Sequence, residues 1–196
     1  MGYALVLYYS RNGSTRNLAC KIAQGIEKGG LEARLRTVPE VTTKIKGTEA
    51  VVPDAGDPYV SLDELENCQA LALGSPTRFG NMASAMKHFW DGTSGLWLSG
   101  GLSGKPACVF TSSGSLHGGQ ESTLLSMMLP LLHHGMLLMG TPYTVPELNS
   151  TSSGGTPYGP SHLAGMNNSS KLTDSEQAIC LAQGKRLAGL ALKLGV

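Results

Sequence analysis

Ser10, Ser14 and Thr15 surround Gly13 where an apolar run, Ala4–Tyr9, gives way to a helical pattern. Hydroxyls and free backbone N–H groups at a helix N-terminus can wrap a phosphate, whose charge the helix dipole favours. The segment Ser10-Arg11-Asn12-Gly13-Ser14-Thr15 lacks the lysine of an NTP-binding loop and the spaced glycines of a dinucleotide fingerprint. Two readings fit these residues alone: a cradle for a phosphate monoester, or an ordinary strand-to-helix turn capped by Ser and Thr. Two more loops of related chemistry follow later apolar runs. Pro76-Thr77-Arg78-Phe79-Gly80-Asn81 offers backbone donors, a guanidinium, an aromatic ring and a glycine that permits close approach. Ser112-Ser113-Gly114-Ser115-Leu116-His117-Gly118 is again rich in Ser and Gly. His133-His134 closes an apolar helix, where imidazoles suit unpaired carbonyls and the dipole. Adjacent histidines point apart on a helix and no further ligands converge, so no metal site is expected. Trp97, in Gly95-Leu-Trp-Leu98, reads as a loop residue of the kind that serves packing or an interface. A G-x-S-x-G hydrolase elbow is missing.

The elements that must position these residues alternate along the chain. Ala4–Tyr9 reads as a central parallel strand and Thr15–Lys28 as a helix with Leu18, Ile22 and Ile26 on one face. Glu32–Val38 alternates like an edge strand, and 39–60 reads as a long irregular connection. Ser61-x-x-Glu64 and Thr173-x-x-Glu176 are capping boxes, each opening a helix. Gln69–Gly74, Pro106–Thr111 and Met136–Tyr143 read as strands, with helices over Met82–Trp90 and Gln120–His134. The last helix is expected to turn Ala178, Ala182, Leu187, Leu190, Ala191 and Leu194 inward. Five strands alternating with helices predict an α/β fold, a parallel sheet covered on both faces, for which 2-1-3-4-5 is the natural order to expect. The hydroxyl- and Gly-rich loops follow strands 1, 3 and 4, and so share the carboxyl edge where such sheets bind ligands.

Composition narrows the classes. The 196 residues suit one domain, 1–196, with apolar residues at 41% and charged residues at 15%. Lys and Arg total 15 against 14 Asp and Glu, so no basic excess points to nucleic acid. No apolar run approaches the roughly 20 residues of a membrane span. The chain enters a strand at once, without a signal-peptide pattern, and its four cysteines form no C-x-x-C pair. Reduced, buried thiols and a cytoplasmic location are the expectation.

Gly74-Ser-Pro-Thr-Arg-Phe-Gly-Asn-Met82, with Tyr8-Tyr9-Ser10, His133-His134-Gly135-Met136 and Gly154-Gly-Thr-Pro-Tyr-Gly159, resembles the WrbA-type NAD(P)H:quinone oxidoreductases through essentially the whole chain. The resemblance implies a flavodoxin-like doubly wound fold and bound FMN, with its phosphate at Ser10, Arg11, Asn12, Gly13, Ser14 and Thr15. It places the flavin ring against Pro76–Asn81, with the pocket closed by Ser112, Ser113, Gly114, Ser115 and Gly118. By the same resemblance His133 reaches the flavin of a neighbouring subunit, and Trp97 forms a wall between which and the flavin a quinone slides. Relatives carry an aromatic or His where this chain has Asn12, the position near the nicotinamide. The implied activity is two-electron reduction of quinones by NADH or NADPH in a homotetramer, with Gly92–Gly104 and 145–172 as interface pieces. The alternative is a flavodoxin-type electron carrier; such carriers are strongly acidic, and a net charge of +1 speaks against it.

Overall fold

Continuous apolar runs become central strands. In the computed structural model, which describes residues 2–41, 53 and 56–195, strands β1 (Tyr3–Tyr8), β3 (Ala70–Pro76) and β4 (Pro106–Ser113) are buried along their whole lengths. That is the burial of parallel strands covered on both faces. β2 (Glu32–Thr37), with polar residues at alternate positions, is the half-buried edge. With β5 (Leu137–Leu138), the sheet runs β2-β1-β3-β4-β5, all parallel, which is the expected order. Much of the expected 39–60 connection lies outside the described residues.

Side-chain alternation sorts the core into two layers. Tyr3, Leu5 and Leu7 join Leu71, Leu73 and Val109 beneath α3 (Ser84–Asp91) and α5 (Gln120–His133). Ala4, Val6 and Tyr8 join Ala72, Cys108 and Phe110 beneath α1 (Ser14–Lys28) and α7 (Asp174–Leu194). These two helices cross closely because each contributes a glycine. A Cβ on Gly25 would stand 2.3 Å from the Leu181 carbonyl oxygen, and one on Gly184 2.1 Å from that of Ile22. Both capping boxes form as read, at Ser61 ahead of α2 (Leu62–Asn67) and at Thr173 ahead of α7.

Three expectations need correction. The fifth strand, expected over Met136–Tyr143, is only Leu137–Leu138 (β5), paired with Pro106 and Ala107. The chain leaves the sheet after Met139, through Gly140-Thr-Pro142, where proline cannot donate to a ladder. After the short helix α6 (Glu147–Ser150) it returns as β6 (Ser161–Leu163) beside Thr111–Ser113. The outer position of the sheet is thus filled in two pieces, with the intervening segment as an excursion. Secondly, α7 buries Glu176, Ile179, Cys180, Gln183, Gly184, Leu187, Ala188 and Ala191, whereas Leu194 is exposed. Its buried stripe contains a carboxylate, an amide and a glycine, which hydropathy periodicity does not register. Thirdly, Trp97 lies not in a loop but in α4 (Ser94–Ser99), half exposed. Of the cysteines, all free, Cys68, Cys108 and Cys180 are buried but Cys20 only partly.

Candidate functional site

The first turn of α1 begins with Gly13 at φ 87°, a left-handed conformation that suits glycine, and no side chain caps it. Its leading N–H groups have no intrahelical partner, and the first helical bond there is from Asn17 N–H to the Gly13 carbonyl. Around this end stand four hydroxyls. Ser10 Oγ accepts from Gly13 N–H at 3.1 Å, Thr15 Oγ1 and Ser112 Oγ pair at 3.0 Å, and Ser14 Oγ donates to the Ser169 carbonyl at 3.4 Å. They line a cleft of about 100 Å³ with Arg11, Asn12, Pro76, Thr77, Arg78, Ser113, Gly114, Ala164 and Asn168. Among the described residues no carboxylate lines it, and the charged groups that do are both guanidinium. Uncapped N–H groups, hydroxyls and two cations form an anion site, so the residues fit a phosphate.

The β3 loop is tied down from β4 and α5. Thr77 N–H donates to the Ser112 carbonyl at 2.9 Å, and Thr123 Oγ1 to Thr77 Oγ1 at 2.7 Å. Beyond Thr77 the chain makes a two-residue hairpin. Arg78 N–H donates to Asn81 O at 2.7 Å and Asn81 N–H returns to Arg78 O at 3.0 Å, with Phe79 at φ 53° and Gly80 at φ 78° between them. Two positive φ values are the type I′ turn, which favours Asn or Gly; a phenylalanine there is strained. Its ring is also fully exposed. The β4 loop is held by Ser113 Oγ, which donates to Ser115 O at 2.7 Å and accepts from Gln120 Nε2 at 2.9 Å. Gly118 N–H donates to the same Ser115 carbonyl at 3.1 Å.

Behind the cleft, Tyr8 O–H donates to Asp57 Oδ2 at 2.5 Å, and Arg16 Nε donates to that same oxygen at 3.2 Å. Burial, then the bond to Asp57, pushes the Tyr8 phenol well above its ordinary range. Tyr9 O–H donates to Glu40 at 3.1 Å, and burial with that bond raises its pKa too.

The structure therefore gathers Ser10–Thr15, Pro76–Asn81 and Ser112–Gly118 at one edge of the sheet, with Gly13, Phe79, Gly80, Asn81, Ser115 and Gly118 outside the cleft lining. Two of the expected residues it places elsewhere. His133 ends α5, which starts beside Ser113 and runs back along the sheet for 14 residues, about 20 Å. His133 is exposed there, while His134 is buried, bonded to Thr93 at 2.9 Å and packed on Trp90. Burial, then the neighbouring His133, lowers the His134 pKa. Trp97, in α4, precedes the start of β4 and so lies at the amino edge, opposite the cleft. Sequence reading missed the wall formed by Ala164 and Asn168, which follows β6. Its one signal is Asn167-Asn168-Ser169-Ser170, another polar run after an apolar residue pair, and it is legible only once β6 is known.

Residues 4–148 match the family described as NADPH-dependent FMN reductase. The chain belongs to that family. Over 97% of both chains it is 44% identical to a Geotalea daltonii protein named NAD(P)H dehydrogenase (quinone). Among solved structures it is similar to a flavodoxin, WrbA-like protein from Agrobacterium tumefaciens, with a TM-score of 0.69, 22% identity and coverage of 98% and 99% of the two chains. An archaeal flavodoxin gives a TM-score of 0.65 at 24% identity, covering 97% and 99%. These two likenesses establish the flavodoxin-like fold.

Proposed function

We propose that this family member is an FMN-dependent NAD(P)H:quinone reductase, converting NAD(P)H, a proton and a quinone into NAD(P)+ and the hydroquinone. The observation that carries it is the cleft of hydroxyls, uncapped N–H groups and arginines at the carboxyl edge, with no carboxylate among the described residues that line it. FMN, when bound, would supply the two-electron redox chemistry between nicotinamide and quinone. The chain's own residues bind and orient. Ser10, Ser14 and the one hydroxyl hydrogen left over from the Thr15–Ser112 pair would hold the phosphate beside the end of α1, and the Pro76–Asn81 and Ser112–Gly118 loops would hold the ring. Arg78, at the mouth, offsets negative charge; Asn12 lies on the nicotinamide side. No side chain serves as an obligate acid. The reading as an electron carrier is weaker, since the relative at 44% identity is named a dehydrogenase.

His133 and Trp97 sit too far from the cleft of their own chain, so we assign them to the cleft of a neighbouring copy in a homotetramer. In support, α5 carries an exposed apolar stripe, Leu125, Leu129 and Leu132, and α4 exposes Trp97 and Leu98. Apolar faces of that kind mark association surfaces. Free, largely buried cysteines suit a reducing compartment, and we place the protein in the cytoplasm as a single flavodoxin-like domain. The test is stopped-flow mixing of FMN-loaded protein with NADH or NADPH, then with benzoquinone. Flavin absorbance should bleach with one nucleotide and return with the quinone, and steady-state plots should be ping-pong. Absence of bleaching within seconds with either nucleotide refutes the enzyme reading.

A further inference from the structure

His162 is a buried titratable group that the redox chemistry leaves unused. Its Nδ1 lies 2.8 Å from Glu176 Oε2 and its Nε2 2.8 Å from the Ser169 carbonyl oxygen. Glu176 also accepts three backbone N–H bonds, from Gly154 and Leu163 at 3.0 Å on Oε1 and from Thr173 at 2.8 Å on Oε2. A carboxylate so surrounded is held ionised. Both imidazole nitrogens therefore face acceptors with no proton to offer, and only the imidazolium form donates twice. Burial opposes the charge on each partner, but the bonds to Glu176 and Ser169 raise the His162 pKa, and those from His162, Thr173 and Leu163 lower that of Glu176. Among the described residues, Glu176 is the charge that acts on His162; Lys21 of α1 acts on the neighbouring Cys180 instead. β4 brings Ser112 opposite His162, α1 brings Ser14 and Asn17 to the same segment, and α7 brings Cys180, whose thiol burial keeps protonated.

The Ser169 carbonyl is also the acceptor for Ser14 Oγ, a cleft residue, and Asn17 Nδ2 donates to the next carbonyl, Ser170 O, at 2.8 Å. While His162 is protonated, Ser169 O has a charge-assisted donor and the Ser14 hydrogen can turn to the cleft. Once His162 is neutral and keeps its Nδ1 proton for Glu176, an Nε2 lone pair faces that carbonyl and Ser14 is drawn back to it. We propose that protonated His162 is a positioning residue for the phosphate end of FMN, acting through Ser169 on the 164–170 wall and the Ser14 hydroxyl. The inference rests on the FMN reading above. Cofactor binding and this one proton are then reciprocally linked.

Two measurements at 25 °C test it. Nitrogen-15 NMR of histidine-labelled protein should show both ring nitrogens of His162 protonated at pH 7, and FMN should lower its acid dissociation constant about fivefold or more. A neutral His162 at pH 7, or one titration curve with and without FMN, overturns the proposal, and this arm needs no variant to fold. In folded His162→Gln at pH 7, FMN should bind about fivefold or more weakly and riboflavin within about twofold of wild type. Equal weakening of both flavins reduces His162 to a structural role and also overturns it. Wild-type protein that fails to bind FMN at pH 7 would instead refute the FMN reading.

Discussion

Replacing Thr15 by Ala isolates one hydroxyl of the phosphate cradle. Thr15 is 1% exposed, and among the described residues its only side-chain hydrogen bond is the 3.0 Å pairing with Ser112 Oγ. One member of that pair donates to the other, so a single hydroxyl hydrogen remains for a bound phosphate. Losing a charge-assisted bond costs about 1.5–3 kcal/mol. Ser112, released from Thr15, can supply the missing donor in part, which places the loss near the lower figure, about 1.5 kcal/mol or tenfold in Kd. The fold loses about 1 kcal/mol with the pairing, a fall of about 2–4 °C in Tm for a chain of this size. Thr15→Ser, which keeps the hydroxyl, should restore most of the affinity. Isothermal titration with FMN and with riboflavin reads the result directly. Riboflavin has no phosphate, so its affinity should barely move; an equal loss for both ligands would refute a phosphate-facing Thr15.

Phe79→Asn should leave Tm unchanged or raise it, because an exposed ring gives up no packing and relief of the left-handed strain is worth about 1 kcal/mol; slower quinone turnover in the same variant would show that the strain serves the site. The pH dependence of Tm should follow the buried pair. The raised His162 pKa gives stability complete below its ordinary 6.5 and lost as pH climbs through the folded value, while the lowered Glu176 pKa gives stability complete above 4.5 and lost as pH falls through its own. Tm should therefore be highest between 4.5 and 6.5 as far as this pair contributes, and His162→Gln should flatten the alkaline limb; identical limbs in both proteins would remove the assignment.

What was legible in the sequence was whatever depends on neighbours along the chain. The apolar runs of β1, β3 and β4 declared doubly buried strands, and Ser61-x-x-Glu64 and Thr173-x-x-Glu176 declared helix starts. The loops at Ser10–Thr15, Pro76–Asn81 and Ser112–Gly118 could be set on one edge because each follows a strand of a sheet expected to be parallel. What escaped depends on contacts across the chain. Two residues of β5 and three of β6 are too short to carry a periodic signal, and only their shared partner β4 makes them strands. The buried face of α7 was misplaced because Glu176 and Gln183 are buried by hydrogen bonds, not by apolar character. Glu176 is held by Gly154, Leu163 and Thr173, and Gln183 Oε1 by Thr141 at 3.0 Å.

Net charge, the coarsest electrostatic quantity in the sequence, is +1 and says little about an anionic ligand. The structure resolves that neutrality into a sorting of charges. Acids near the cleft are engaged away from it: Asp57 by Tyr8 and Arg16, Glu40 by Tyr9, and Glu176 by His162 and three backbone N–H groups. Arg11 and Arg78 line the cleft, and among the described residues neither forms an ion pair. Low-dielectric walls focus the field of such unpaired cations onto the cleft, where it acts on phosphate-bearing ligands despite the near-zero total. Both FMN and a nicotinamide nucleotide carry phosphates, so under the proposed function one sorted patch would serve cofactor and electron donor alike. A carrier docking basic partners needs the opposite arrangement, an acidic rim. The distribution of charge, rather than its sum, is thus what favours an enzyme at this edge of the sheet.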